Sequence, residues 1–222
     1  MVWAIHHASG FGKFFLNGDY VGWEDAVRQY WDTDIPLEEK RRIEARWGGF
    51  STYDFSMKFI EDFGPLTERE LVKEFRTEKT VKEIAALAKI SNQVPIVHED
   101  LKDVIEDIEP NVHQFWPITI SMPRGKTYPE PYYGMRIGQF VDSFRPEQSA
   151  ENAFQQRKAI YLSSDTKEKT SGLAFSGEEI GARHLWREKK LSKPNIFMSD
   201  ALQAKIAAKG LQLPKHFQAK VV

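Results

Sequence analysis

The segment "HLWREKKLSKPNIFMSDALQAKIAAKG", His184 to Gly210, concentrates residue types from which a site could be built. His184 beside Trp186 and Arg187 could hold a phosphate or another anion, because imidazole and guanidinium both donate hydrogen bonds to oxyanions. The plainer reading is a strand whose Trp186 packs inward while the bases face water. His98 and His113 flank an acidic segment, and with Glu99 and Asp103 they could form an oxygen/nitrogen metal site. Neither HExxH nor H-x-H spacing accompanies them, so no metal is expected. His6 and His7 are adjacent, and in a strand they point to opposite faces and cannot chelate one ion. "GFGKFF", Gly10 to Phe15, lacks the glycine spacing of a phosphate loop and the hydroxyl after its lysine. No G-x-S-x-G elbow marks a serine nucleophile, and "SSD" (Ser163 to Asp165) lies in a turn-rich stretch.

These residues sit in a chain of ordinary globular composition. It has 222 residues, 41% hydrophobic and 28% charged, which suits one large domain or two small ones. The net charge of -1 argues against a nucleic-acid binder as a whole. With no cysteine there is no disulfide, thiolate nucleophile or Cys-ligated zinc. "MVWAIHHASGFGKFF" lacks a basic n-region and a continuous apolar stretch, and no run approaches a transmembrane length. The expectation is a cytoplasmic protein with no membrane contact and no cofactor.

Charge is patterned locally. Between Glu99 and Glu109 stand six acids (Glu99, Asp100, Asp103, Glu106, Asp107, Glu109) and one base, Lys102. Between Arg183 and Lys193 stand five bases (Arg183, Arg187, Lys189, Lys190, Lys193) and one acid, Glu188. These are two solvated faces, or a surface that docks a basic protein, where complementarity gives steering and specificity.

The elements that would position these residues follow from periodicity. Residues 1–21 read as short strands with turns. "WEDAVRQYW" and "PLEEKRRIEARWGG" read as helices, the second stopped by Gly48-Gly49. "LTERELVKEF" carries a capping box, Thr67 with Glu70, and reads as a helix. "TVKEIAALAKI" spaces Val81, Ile84, Leu87 and Ala88 on one helical face. The first 91 residues are therefore expected to be mostly helical. From residue 92 the chain alternates strands and helices. "VPIV" is a strand, and Leu101, Val104, Ile105 and Ile108 define an amphipathic helix. "VHQFWPITI", "YYGMRIGQFV", "KAIYLSS" and "GLAFSG" are strands, with 121–131 and 163–172 as loops. The expected fold is α+β, a helical N-terminal half joined to a mixed or antiparallel sheet with two strand-helix-strand units. Those units are "PIVHEDLKDVIEDIEPNVHQFWPI" and "PNIFMSDALQAKIAAKGLQLPKHFQAKV". Their shared plan aligns Asp100 with Asp200, each favoured at a helix N-terminus. Ser199 should cap the second helix and Gly210 should end it.

The order of "IVHEDLKDVIEDIEPNVHQFWPI", "PYYGMRIGQFVDSFRPEQS" and "HLWREKKLSKPNIFMSDALQAKIAAKG" resembles a family of bacterial polymorphic-toxin immunity proteins, first catalogued as a domain of unknown function. The resemblance covers residues 92–222, with Asp142 following the Tyr-rich strand. Pro214 stands where the family has a Gly-rich turn. The resemblance implies a non-enzymatic protein, without cofactor, that binds a cognate toxin and blocks it by occlusion. Glu99, Asp103, Glu106, Asp107, Arg183, Trp186 and Arg187 are the expected partner-binding residues. Two other classes stand beside it: a small hydrolase pairing His98, His113 or His184 with a carboxylate, and a phosphate or nucleotide module using Arg183, Arg187 and Lys189.

Overall fold

The computed structural model, which describes residues 1–222, has seven helices and sixteen strands. The first part runs β1 (Val2–Ile5), β2 (Gly18–Tyr20), α1 (Trp23–Thr33), α2 (Leu37–Trp47), α3 (Thr52–Ser56), β3 (Glu74–Thr77) and β4 (Leu87–Lys89). The middle runs β5 (Pro95–His98), α4 (Glu99–Ile108), β6 (Gln114–Met122), β7 (Lys126–Thr127), β8 (Tyr132–Arg136), β9 (Phe140–Val141), β10 (Gln155–Arg157) and β11 (Ile160–Leu162). The last part runs α5 (Lys167–Ser171), β12 (Ala174–Phe175), α6 (Gly177–Ile180), β13 (Leu185–Glu188), β14 (Leu191–Lys193), β15 (Ile196–Ser199), α7 (Asp200–Ala208) and β16 (His216–Val221). Three sheets result, in the orders β2-β3-β6-β8-β5-β4, with β7 paired to β6, then β12-β16-β1-β15-β13-β9, and a small β10-β11-β14.

The expected helical N-terminal half is overturned. The fold is broadly α+β, but helices and strands are spread through it. The capping box at Thr67 and Glu70 forms as expected, yet it closes a single 3-10 turn, Glu68–Glu70, and Leu71 is already extended. Beyond it Phe75 and Thr77 are buried while Arg76 is exposed, the period of two that makes β3. "IAALAKI" fails as a helix for another reason. Every residue from Ile84 to Ile90 is buried, so the run has no polar face. A short run buried on every side, apolar but for Lys89, fits a covered strand as well as a helix, and periodicity alone cannot separate them. Here Leu87–Lys89 pairs with Pro95–Val97 as β4 against β5. The loop expected at 163–172 holds the short helix α5, capped by the Thr166 hydroxyl.

The two large sheets are copies of one plan. In the first, the path β4-β5-β8-β6 is antiparallel throughout and β3 is added parallel to β6. In the second, β13-β15-β1-β16 is antiparallel throughout and β12 is added parallel to β16. Each contains a strand-helix-strand unit, β5-α4-β6 or β15-α7-β16, split by one intervening strand. The register is the same in both. Val97 faces Tyr133, which faces Pro117, and Met198 faces Trp3, which faces Gln218. As many residues separate His98 from Pro117 as separate Ser199 from Gln218. The helix caps correspond too: the His98 imidazole accepts from the Asp100 amide, and the Ser199 hydroxyl accepts from the Leu202 amide. Glu99, not Asp100, therefore matches Asp200. In each copy the aromatic residue of the intervening strand donates to that first carboxylate, Tyr133 to Glu99 at 3.1 Å and Trp3 to Asp200 at 2.8 Å. The second copy is completed by the start of the chain, because its intervening strand is β1.

The copies face each other across one apolar cluster. Leu87, Val97, Leu101, Ile105 and Met135 from the first meet Leu185, Met198, Leu202, Ile206 and Ile5 from the second. The helices α4 and α7 pack together there. A larger cluster behind the first sheet is covered by α1, α2 and α3, with Trp23, Val27, Ile43 and Phe55 facing Phe75 and Trp116. A third lies behind the second sheet, where Trp186 and Phe197 meet Phe144 and Phe175.

Candidate functional site

The acidic face is carried by α4. Leu101, Val104 and Ile105 bury one side of the helix, which leaves Glu99, Asp103 and Asp107 exposed and Glu106 half-buried. Asp107 pairs with Lys205 of α7 at 2.5 Å, and Asp103 with Lys102 at 3.2 Å. The Lys205 hydrogen bond and charge hold the Asp107 carboxyl below its ordinary range.

Glu109, the last acid of the run, is not on this face. It is 6% exposed and accepts four hydrogen bonds: from the amides of His184 (2.7 Å) and Leu185 (2.9 Å), from Gln139 Nε2 (2.7 Å) and from His113 Nε2 (2.9 Å). The Gly138 amide donates to His113 Nδ1, so the imidazole carries its hydrogen on Nε2. Glu109 thus ties the end of α4 to the start of β13, one sheet to the other. Burial disfavours its charge, but the hydrogen bonds outweigh burial and keep the carboxyl below its ordinary value.

In the basic run from Arg183 to Lys193, Arg183, Lys189, Lys190 and Lys193 are exposed, and Arg187 alone departs from the expectation that the bases point to water. Exposed Arg183 bonds the Glu179 and Ile180 carbonyls at the end of α6. Lys190 pairs with Asp142 at 2.9 Å and Lys189 with Asp62 at 3.4 Å. Trp186 is fully buried and stacks on Phe197, with ring centroids 5.9 Å apart. Arg187 is 2% exposed, and its Nε and Nη2 have no hydrogen-bond partner. Asn195 Oδ1, 3.3 Å from Nη1, is its one side-chain acceptor. Burial is the main reason its guanidinium is pulled down to about 9, with nearby Arg136 adding to it.

Arg187 lines a cleft of about 1180 Å3. Its walls come from α2, the turn after α3, the end of β1, and the β13–β14 hairpin, and they include Arg42, His7, Lys89, Ser163, Lys193 and Asn195. Lys89 is 5% exposed, donates to Gln93 Oε1 at 3.0 Å and lies 4.2 Å from the Phe15 ring centre. Burial, then the Lys193 charge, lowers its ammonium. Burial, then the charges of Arg187 and Lys89, holds the His7 imidazole down to about 3. Sequence reasoning missed Lys89, although a single base inside "IAALAKI" was a visible signal. His7 was considered only as a metal ligand.

The hydrolase arrangement does not assemble around the cleft. His184 Nδ1 and Ser199 Oγ are 2.7 Å apart, but this pair does not line the cavity, and the hydroxyl is engaged as the α7 cap. His113 is buried on Glu109, and His98 caps α4. No three His, Asp or Glu residues are grouped to hold a metal ion, and no helix is long and apolar enough to cross a membrane.

No curated protein matches the chain. The sequence does match the model of the Immunity protein family (Imm11) over residues 14–219. The match extends the resemblance, read from residues 92–222, through most of the first half. It agrees with a fold in which β2, β3 and β4 share a sheet with β5, β6 and β8. The chain therefore belongs to the Imm11 immunity protein family.

Proposed function

We propose that this chain neutralises a cognate protein toxin, delivered between neighbouring bacterial cells, by binding it in the cytoplasm and covering its active site. The observation that carries this reading is membership of an immunity family over nearly the whole chain. It is a binding function that asks for no catalytic group. The contact surface we propose is the acidic face of α4, with Glu99, Asp103, Glu106 and Asp107 set against a basic toxin surface. Charges arranged this way raise the association rate and reject wrong partners. Arg183 contributes from the exposed turn after α6, while the buried Trp186 and Arg187 lie beneath the surface and make no contact with the toxin.

The test is co-expression with the product of the neighbouring gene. A partner that kills cells when expressed alone, that this chain rescues and that co-purifies with it, supports the reading. Reversal of Asp103 and Glu106 to lysine should slow association and leave the melting temperature unchanged. Unaltered affinity removes the α4 face from the interface, and absence of any rescued toxin removes the function.

A further inference from the structure

The cleft holds more buried positive charge than the fold neutralises. Arg187 and Lys89 are both buried, and neither has a carboxylate within ion-pair distance. The acids that share the cleft are engaged elsewhere. Glu61 pairs with Arg46 at 3.1 Å and Asp62 with Lys189 at 3.4 Å. Glu188 accepts from the Ser143 hydroxyl and amide and from the amides of Lys189 and Lys190. Asp165 is left against Arg42, Lys89, Arg187 and Lys193. A buried guanidinium with two unsatisfied nitrogens is costly to keep, because a charge taken out of water loses hydration that no partner restores. A group of that kind, lining a cleft and strongly perturbed, is a mark of a functional site.

We propose that this cleft is a binding site for a phosphate-bearing ligand, whose negative charge is matched by the buried, unpaired Arg187 guanidinium in its wall and by Lys89. The surplus of cations over free acids fits a dianion better than a single carboxylate. The Asn195 side chain lines the same walls and offers its amide nitrogen as a neutral donor. A cavity of about 1180 Å3 is far larger than a lone phosphate ion, so the phosphoryl group belongs to a larger small molecule. The residues of the acidic α4 face do not line this cleft, so the site stands apart from the proposed toxin surface.

Pyrophosphate is the probe, used on the full chain by isothermal titration calorimetry and by thermal unfolding at matched ionic strength in chloride. Binding at one site should raise the melting temperature of the wild type as ligand exceeds its Kd. Arg187→Met should weaken binding by roughly tenfold or more, the effect of losing an unpaired positive charge from the wall of the site. Without pyrophosphate the same variant should melt no lower than the wild type, because it removes an unpaired buried charge. If Arg187→Met does not fold, Lys89→Met and Lys193→Met carry the test, and each should bind pyrophosphate more weakly. No binding by the wild type, or undiminished binding by the lysine variants, overturns the proposal. Tighter binding of an aspartate-rich peptide than of pyrophosphate also overturns it, since the site would then be one for carboxylates. Rescue from the toxin by Lys89→Met is a separate readout, and its loss or retention reports on the immunity function alone.

Discussion

Removal of the Glu109 carboxylate tests the view that one buried side chain locks the two sheet units together. Glu109→Ala strands the amides of His184 and Leu185, Gln139 Nε2 and His113 Nε2 beneath the surface. Each buried donor without an acceptor costs about 1–3 kcal/mol, though water entering the gap recovers part of it. A loss of about 4 kcal/mol follows, a large share of the roughly 5–15 kcal/mol that holds a typical domain folded. Glu109→Gln keeps one acceptor oxygen in place and should lose about half as much. Urea unfolding followed by tryptophan fluorescence measures both. The pH dependence gives a second reading. The folded-state carboxyl lies below its ordinary 4.5, so its contribution is present above that value and disappears as pH falls through the folded one. The alanine variant should lose this acid-side slope. A loss under about 1 kcal/mol, with the slope unchanged, would show that the four hydrogen bonds are replaced at no cost and that Glu109 is not the link between the sheets.

Two more perturbations bear on the same architecture. His7 is held down to about 3 in the fold against 6.5 in the open chain, so the unfolded state takes up the proton first as pH falls. Stability should fall by at most about 1.4 kcal/mol per pH unit between those values, and His7→Asn should flatten that stretch of a melting-temperature profile. Leu101 and Leu202 occupy matching places on α4 and α7 and are each 1% exposed. Alanine at either should cost about 2–5 kcal/mol, with similar values at the two positions, read from urea midpoints; a several-fold difference would refute the equivalence of the two units.

Much of the local structure was legible in the residues themselves. Leu101, Val104 and Ile105 announced α4, Ser199 announced the α7 cap, and both elements depend on neighbours within two turns. Thr67 and Glu70 announced a capping box that does form, but the length of the helix after it was not encoded there. The strand β4 could not be told from a helix, because a run buried on all sides has no face to count. The candidate site was less legible. Asp103 and Asp107 could be placed on an exposed face from helical spacing alone. Arg187 could not be placed in a cleft, since the cleft is made by segments spread along the chain from residues 6–9 to 187–195.

By itself the sequence determined the apolar face of α4, the cap of α7, and that two strand-helix-strand segments follow one plan. Those properties rest on spacing and capping, interactions between residues a few positions apart. Only the tertiary structure decided that the second unit borrows β1 from the chain's start, that Glu109 leaves the acidic surface to join the sheets, and that Arg187, Lys89 and His7 meet around one cavity. Those properties rest on which strands pair and which charges lose their water, and both are settled only when distant segments pack together.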